Sequence, residues 1–192
     1  MPWEKQFDED VVLEKAMRAF WRGGFKGTSM KDLVRETGLN PGSIYAAFKD
    51  KEHLFQRCLA KYEVQAEEDL ASLQRTFSPK NTILALFDAV FDDTQSGEEA
   101  CGCFLMNSIL ETGPQEDDVT RTIRKGLETF EGLIRALIEK GQATGEIPSD
   151  LDAANTARLI QGLLAGARLM GRARADHPFV KEAREHAEKL LS

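Results

Sequence analysis

The sequence predicts an all-α protein, and three observations lead to that fold class. Apolar residues recur with the 3.6-residue period of an amphipathic helix in almost every segment of the 192-residue chain. No segment shows the alternation of apolar and polar residues that is typical of a half-buried strand. Helix start signals, such as Asn40-Pro41 and Ser78-Pro79, stand between the apolar segments, and glycines end several of them. The spacing of these signals predicts about nine helices.

The first two predicted helices are short. The first covers about residues 10–21, and a Gly-Gly pair stops it. The second covers residues 30–37, with either Thr28 or Ser29 as its N-cap, and it ends at a glycine suited to the left-handed conformation.

The third predicted helix starts abruptly at Asn40-Pro41 and lasts to about Phe48. Asparagine suits the N-cap, and proline loses nothing at the first helical position because the N–H there has no helical partner. Asp50 then caps a fourth helix that continues to about Leu73.

The rest of the chain contains five further helical segments, over residues 82–93, 103–111, 116–145, 153–175 and 178–191. We therefore expect a three-helix helix-turn-helix domain over residues 1–50 and a larger helical domain over residues 51–192. The fourth helix, which starts near residue 51, bridges the two.

Composition excludes several classes of protein. No run approaches the roughly 18 apolar residues of a membrane span, and the polar, acidic N-terminus is not typical of a signal peptide. Three cysteines are too few for a disulfide framework, which favours a reducing cytoplasm. The net charge is −7, yet the first 62 residues hold 11 Lys and Arg against 9 Asp and Glu, whereas the remainder holds 14 against 23. A locally cationic first third is compatible with specific binding of nucleic acid.

The second and third helices are predicted to form a helix-turn-helix. Apolar residues are spaced to pack them on each other and on the first helix: Phe20, Phe25, Leu33, Val34, Leu39, Ile44 and Phe48. A third helix of about eight residues is roughly 12 Å long, which suits a DNA major groove about 12 Å wide. Groups suited to phosphate are the hydroxyls of Ser43 and Tyr45, the helix N-terminus at Thr28 and Ser29, and the side chains of Lys31, Lys49 and Lys51.

Residues 19–55, AFWRGGFKGTSMKDLVRETGLNPGSIYAAFKDKEHLF, closely resemble the DNA-binding head of the TetR family of transcriptional regulators. The likeness extends over roughly residues 10–60, through patterns such as Ala-Phe-x-x-x-Gly-Phe, Gly-Ser-Ile-Tyr-x-x-Phe and Lys-x-Lys-Glu-x-Leu. The remaining two-thirds is similar to the family in helical architecture and length. The resemblance implies that this part binds a ligand and dimerises, and that two heads read a palindromic operator in double-stranded DNA.

By this resemblance, eight residues face DNA: Lys31, Pro41, Gly42, Ser43, Tyr45, Ala46, Ala47 and Lys51. Two of them are alanines, which predicts few hydrogen bonds to base edges and a larger part for thymine-methyl contacts and DNA shape. Single residues retain another interpretation, since Tyr45 also suits packing and Lys49 and Lys51 also suit a solvated helix end.

The segment QGLLAGARLMG is rich in small residues, which favours a close approach of another helix. The resemblance implies a two-fold dimer built from the last two long helices, with Gly162, Gly166, Ala167 and Met170 at its interface. Close packing within one chain is the alternative.

The apolar and aromatic residues of the larger domain either fill a solid core or line a cavity. The resemblance favours a pocket for an apolar or aromatic small-molecule effector, lined by Phe87, Phe91, Phe104, Asn107, Phe130 and Leu163. Asn107, with Glu111 one turn later, is suited to orient a polar ligand group, or Asn107 satisfies neighbouring backbone.

Cys101 and Cys103 flank a glycine at the start of an apolar helix, a position that can lower the pKa of a thiol. The motif GCFLMNSILE resembles that of a TetR subset in which some members sense oxidants or electrophiles. The alternative is a buried, apolar Cys103 and an exposed loop thiol at Cys101. Two cysteines with scattered histidines lack metal-ligand spacing, so neither a metal nor a cofactor is predicted.

The sequence therefore predicts a homodimeric transcriptional repressor that a small-molecule inducer, including a thiol-reactive one, releases from DNA. An enzyme is not expected, because no Ser/His/Asp grouping, catalytic carboxylate pair or phosphate-binding glycine loop is evident. The alternative is a helical ligand-binding or interaction module without DNA binding.

Overall fold

A computed structural model of the protein describes residues 7–96, 102–111 and 118–192, which contain α-helices and no β-strand. The described helices are α1 (Glu9–Gly27), α2 (Met30–Thr37), α3 (Pro41–Phe48), α4 (Lys51–Thr76), α5 (Pro79–Gln95), α6 (Phe104–Ile109), α7 (Asp118–Ala143), α8 (Ala153–Ala173) and α9 (Phe179–Leu190). The predicted all-α class is confirmed. None of these helices is both long enough and apolar enough to cross a bilayer.

Helix α1 is interrupted at the Gly-Gly pair, just after its predicted end near residue 21, and one further turn continues the element to Gly27. Gly24 has φ 73° and ψ 168°, so the helical geometry is interrupted at the Gly-Gly pair without ending the element. A further turn follows and closes where the N–H of Thr28 donates to the carbonyl of Gly24 at 3.1 Å. The left-handed φ explains the glycine, because other residues rarely adopt it.

Side-chain caps fix the starts of α2 and α3. Ser29 is the N-cap of α2: its hydroxyl accepts from the N–H of Asp32 at 3.2 Å, and the Asp32 carboxylate accepts from the N–H of Ser29 at 3.0 Å. The side chain of Asn40 accepts from the N–H of Ser43 at 2.9 Å. Such caps contribute about 1 kcal/mol each, which defines the first residue of two otherwise marginal helices.

A tight turn separates α3 from α4. The N–H of Asp50 donates to the carbonyl of Phe48 at 2.6 Å, and Lys49 between them has φ 66° and ψ −57°. These dihedrals belong to the positive-φ γ-turn, which is rare and strained for a residue with a side chain. The carboxylate of Asp50 then accepts from the N–H of His53 at 2.7 Å, as expected for the N-cap of α4.

The described chain divides into two compact units. The first unit comprises residues up to 65 together with residues 107–124, and the second comprises residues 66–106 and 125–192. Helices α4, α6 and α7 each continue along the chain from one unit into the other. The predicted division near residue 50 leaves residues 107–111 and 118–124 in the larger domain, whereas these residues belong to the first unit.

Buried aromatic rings form the centre of the first unit. The rings of Phe20 and Phe55 meet edge-on with centroids 5.0 Å apart, and the ring of Phe25 lies 4.8 Å from that of Phe55. Leu33, Ile44 and Phe48 from α2 and α3 are fully buried in the same unit. These residues therefore pack α2 and α3 into the core that also holds Phe20 of α1, as the sequence predicts.

Helices α5, α8 and α9 pack together in the second unit. Its core contains Ile83, Phe87, Ile134, Ile160 and Leu164, together with smaller residues of α8 and α9. Gly171 permits a close approach of α8 to α5, because a Cβ atom there would collide with the methyl group of Thr94.

The turn between α7 and α8 is tied to the start of α5. The carboxylate of Glu146 accepts from the hydroxyl of Ser78 and from the N–H of Lys80, the second at 3.0 Å. The side chain of Ser78 makes no capping hydrogen bond of its own. Glu146 therefore caps α5 from a distant part of the chain, and its negative charge suits the positive end of the helix dipole.

We expect the substitution Glu146→Ala to lower the free energy of unfolding by about 1–2 kcal/mol, because the N–H of Lys80 and the hydroxyl of Ser78 lose their acceptor. Urea unfolding followed by circular dichroism measures the change. Glu139→Ala is the matched control, since Glu139 is exposed and pairs with Arg135 of the same helix, at 3.5 Å. Equal unfolding midpoints for the two variants would contradict the capping role.

Candidate nucleic-acid interface

Helix α3 has one buried face and one exposed face. Ile44 and Phe48, one turn apart, are fully buried, whereas Tyr45 is 50% exposed and Ala46 is exposed. Because a helix repeats every 3.6 residues, burial of the first pair directs the second pair outward. The helix thus presents a hydroxyl and small apolar groups on a rigid support.

The predicted DNA-facing residues differ in their accessibility. The exposed ones are Ser29, Lys31, Pro41, Gly42, Tyr45, Ala46 and Lys49. Three others, Ser43, Ala47 and Lys51, are half-buried. These ten residues lie on α2, on α3, in the turns beside them and, for Lys51, at the first position of α4; all belong to the first unit.

Thr28 does not fit its predicted role as a phosphate ligand. Its side chain is only 3% exposed, and its hydroxyl donates to the carbonyl of Gly24 at 2.7 Å. Its N–H donates to the same carbonyl at 3.1 Å. Both donors of Thr28 therefore close the end of α1, and the prediction at this residue is wrong.

The N-terminus of α2 already holds an anionic group. The hydroxyl of Ser29 donates to the carboxylate of Asp32 at 2.6 Å, in addition to the two capping bonds. These hydrogen bonds from Ser29, with a smaller contribution from Arg35, lower the pKa of Asp32 below its usual value. A phosphate approaching Ser29 meets this carboxylate, so capping is the observed role of Ser29.

Lys51 lies against an aromatic ring. Its Nζ is 4.5 Å from the centroid of the Phe25 ring, a distance that permits a cation–π interaction. Burial lowers the pKa of Lys51, and the negative charge of Glu111 opposes that shift. The side chain of Lys51 thus interacts with the ring of Phe25 and with the carboxylate of Glu111, and both residues belong to the first unit.

Glu111 belongs to this region, although the sequence suggested a ligand-orienting role for it. Its carboxylate accepts from the N–H of Lys26 at 3.1 Å. A Cβ atom on Gly24 would collide with the same carboxylate. The Gly-Gly pair in the sequence indicates that another group packs closely against this turn. It does not identify that group as Glu111, which is distant along the chain.

The residues predicted to bind an effector occupy different environments. Phe87 and Phe104 are almost fully buried, and Phe130 and Leu163 pack at the edge of the second-unit core. Phe91 is half-buried, with the Nζ of Lys181 5.3 Å from its ring centroid. Asn107, in contrast, belongs to the first unit. The five apolar members are thus part of the second unit, where Phe87 serves as core.

Of the two predicted sensor thiols, Cys103 is buried and Cys101 lies outside the described residues. The N–H of Gly102 bonds to the carboxylate of Asp93, which helps to fix the backbone next to Cys103. The pKa of Asp93 is raised overall, because burial has a larger effect than the positive charge of Arg168 and the hydrogen bond from Gly102, which both act to lower it.

Cys58 is the inert thiol of the described chain. Its Sγ donates to the carbonyl of Leu13 at 3.6 Å, and burial raises the pKa of Cys58 to about 12. It therefore stays protonated and unreactive at neutral pH. Within residues 7–96, 102–111 and 118–192, no three His, Cys, Asp or Glu side chains gather as metal ligands.

The predicted interface residues on α8 fall on two sides of that helix. Gly162 is exposed and Met170 is half-buried, whereas Ala167 is fully buried in the core of its own chain. A Cβ atom on Gly166 would lie 2.9 Å from the ring of Phe179, which covers it. The interface prediction is wrong for Ala167, because no atom of that residue is open to a partner.

Two family models match the chain. The model described as bacterial regulatory proteins, tetR family, covers residues 12–58, and the model described as tetracyclin repressor-like, C-terminal domain, covers residues 79–187. The HTH-type transcriptional repressor ComR of Escherichia coli strain K12 is 30% identical over 170 residues, which is 88% of this chain and 81% of ComR. The HTH-type transcriptional repressor BdcR of the same strain is 27% identical over 162 residues, 82% of each chain.

Solved structures share the whole fold. A cysteine mutant of the TetR family regulator CifR, complexed with 26-bp double-strand operator DNA, gives a TM-score of 0.85 at 26% identity over 97% of both chains. The reduced form of NemR from E. coli gives a TM-score of 0.87 over 95% of this chain and 96% of NemR, and at 18% identity this likeness shows the fold alone. The chain belongs to the TetR family of bacterial regulatory proteins, and it is a DNA-binding transcriptional regulator rather than an enzyme.

Proposed function

We propose that this regulator is a homodimeric repressor that leaves a palindromic operator when a small molecule binds its second unit. The observation that carries the proposal is the two-sided burial of α3, with Ile44 and Phe48 inside and Tyr45 and Ala46 outside. The repressor ComR, which is 30% identical, supports repression over activation.

Recognition helix α3 would read the major groove with few hydrogen bonds to bases. Tyr45 and Ser43 offer hydroxyls to phosphates, and Ala46 and Ala47 offer methyl groups suited to thymine contacts. Pro41 and Gly42 start the helix without bulky side chains, which allows a close approach to the DNA backbone. Lys31, Lys49 and Lys51 supply charge at its edges, and Ser29 supports them by holding α2 in place.

The dimer would form through the exposed side of α8. Leu159 and Leu169 are large apolar residues that are 57% and 54% exposed, and Gly162 lies on the same side between them. Spacings of three, seven and ten residues keep all three on one helix face, where Met170 joins them. A two-fold dimer built this way would carry two copies of α3, as a palindromic operator requires.

Effector binding would act by favouring a conformation with low affinity for the operator. A ligand shifts such an equilibrium only by as much as it prefers one conformation over the other. Phe91, Phe130 and Leu163 are only partly buried and suit contact with an apolar or aromatic ligand. Helix α4 is continuous from Lys51 to Thr76 and joins the units along the chain.

A thiol-reactive effector would act at Cys101 or Cys103. The hydrogen bond from Gly102 to Asp93 supports this assignment, since it fixes the backbone between the two thiols. The thiolate would attack an electrophilic alkene: the S–C bond forms as the π bond of the alkene breaks, and the neighbouring carbon takes up a proton from water.

Substitutions on α3 and at Lys51 distinguish the proposed function from the competing one, a helical interaction module that does not bind DNA. We expect Tyr45→Ala to weaken binding to an operator duplex selected with the wild-type protein by about tenfold, and Ala46→Asp to abolish it through repulsion of phosphates. Lys51→Ala should reduce the slope of log affinity against log salt by about 1. Fluorescence anisotropy between 50 and 200 mM salt, roughly the range in which phosphate contacts matter most, measures both.

The matched control for these variants is Lys140→Ala, since Lys140 is an exposed lysine of α7 in the second unit. It removes one positive charge and should leave both affinity and slope unchanged. Wild-type affinity for all of the α3 variants would favour the module without DNA binding.

For the dimer, we expect the double substitution Leu159→Arg and Leu169→Arg to give a monomer, because two buried cations at a two-fold axis repel their copies. Sedimentation equilibrium should show half the wild-type mass, and operator affinity should fall by at least about 100-fold as one half-site is lost. Val64→Arg, which alters a residue that is 56% exposed on α4, should leave the mass unchanged. An unaltered mass for the double variant would disprove this interface.

For the thiols, we expect N-ethylmaleimide to release the wild-type protein and Cys58→Ser from the operator. The variant lacking both Cys101 and Cys103 should stay bound, because Cys58 is buried with its pKa raised to about 12. Anisotropy follows release, and mass spectrometry identifies the alkylated residue. Release of the double cysteine variant by the reagent would refute the assignment.

A further inference from the structure

We propose that Glu111 is a positioning residue for DNA binding: its carboxylate holds the turn before α2, and with it Lys51, in the geometry that meets a phosphate. The inference rests on the proposed function, in which Lys51 contacts DNA. It gives Glu111 a role in the head of the protein in place of the ligand-orienting role that its sequence position suggested.

The first step is the contact of Glu111 with the turn. Glu111 lies 85 positions beyond Lys26 in the chain, yet its Oε2 accepts from the N–H of Lys26 at 3.1 Å. A Cβ atom on Gly24 would overlap the same carboxylate. Gly24 has φ 73°, so its backbone bends and its missing side chain leaves the space that the carboxylate occupies. The end of α1 and the position of Glu111 therefore depend on each other.

The second step connects the turn to Lys51. Phe25 precedes Lys26, so a hydrogen bond that fixes the N–H of Lys26 also fixes the peptide group that follows Phe25. The ring of Phe25 packs 4.8 Å from that of Phe55, and the Nζ of Lys51 lies 4.5 Å from the Phe25 centroid. The ring thus supports the ammonium group on one side.

The third step is electrostatic. Removal from water favours the neutral form of Lys51, and the nearby carboxylate of Glu111 favours the charged form. The Glu111 carboxylate thus attracts the ammonium group of Lys51 while it also holds the turn that carries the Phe25 ring. Both effects favour a phosphate contact by Lys51, although Glu111 itself is an anion.

The experiment measures operator affinity and its salt dependence with a duplex selected by the wild-type protein. We expect Glu111→Ala to weaken binding by about tenfold, as for loss of a hydrogen bond to a charged group. Its salt slope should fall by about 1, as for Lys51→Ala, because one phosphate contact is lost. Glu111→Gln keeps an acceptor for Lys26 and should weaken binding by only about threefold. The double variant Glu111→Ala, Lys51→Ala should bind no more weakly than Lys51→Ala, because both act on one contact.

The control Glu139→Ala removes an equal charge from an exposed position on α7 and should leave affinity and slope unchanged or slightly raise affinity. Urea unfolding checks that each variant is folded at the assay temperature. If Glu111→Ala is unfolded, the affinity and salt slope of Glu111→Gln provide the test instead. Wild-type or tighter binding by the Glu111 variants, with an unchanged slope, would overturn the inference alone. Failure of the wild-type protein to bind any duplex would overturn the proposed function and this inference with it.

Discussion

The burial of one face of α3 is the constraint on which the head of this protein depends. A helix of eight residues is too short to persist in water by its own propensity, so its stability comes from packing. Ile44 and Phe48 provide that packing and are fully buried. The same burial decides that Tyr45 and Ala46 lie outside. The side chains that α3 exposes, to which the proposed function assigns DNA contacts, are thus a consequence of core packing, and a change in the core would alter their placement as well as stability.

Pairing of charges limits how many cations of the head can serve DNA. Arg57 pairs with Glu9, and Lys61 lies 3.0 Å from Asp10, so two of the positive charges in the first 62 residues are already compensated. The count of 11 basic residues in that part of the sequence therefore overstates the number of cations that are free to contact phosphates, although pairing leaves the net charge unchanged. Specific binding by an acidic protein has to rely on a few lysines placed well, and on the shape of a close approach.

Local sequence signals predicted much of this fold, because caps act within a few residues. Asn40 is recognisable as an N-cap from the sequence, and Ser29 as one of two candidates with Thr28, since each cap accepts from an N–H only three residues away. The strongest errors concern contacts across the chain. The sequence predicts that Ala167 packs against another helix and that Glu111 binds a polar group. It does not tell whether those contacts are made with a partner chain, a ligand or another part of the same chain. Small residues on α8 signalled close packing in the same way, and only the fold identifies Phe179 as the group that covers Gly166.

The turn at Lys49 shows why backbone geometry, more than side-chain chemistry, organises this interface. A lysine with φ 66° is costlier than a glycine by an amount on the order of 1 kcal/mol, so the position would be more stable with glycine. The lysine nevertheless stands at the C-terminal end of α3, where the N–H of Lys49 bonds to the carbonyl of Tyr45 at 2.9 Å and a cation suits the helix dipole. The γ-turn also sets Lys51 only two residues beyond it, at the first position of α4. The strained turn at Lys49 thus places two cations, Lys49 and Lys51, next to the C-terminal end of α3. Glycine at position 49 would relieve the strain but would remove one of these cations.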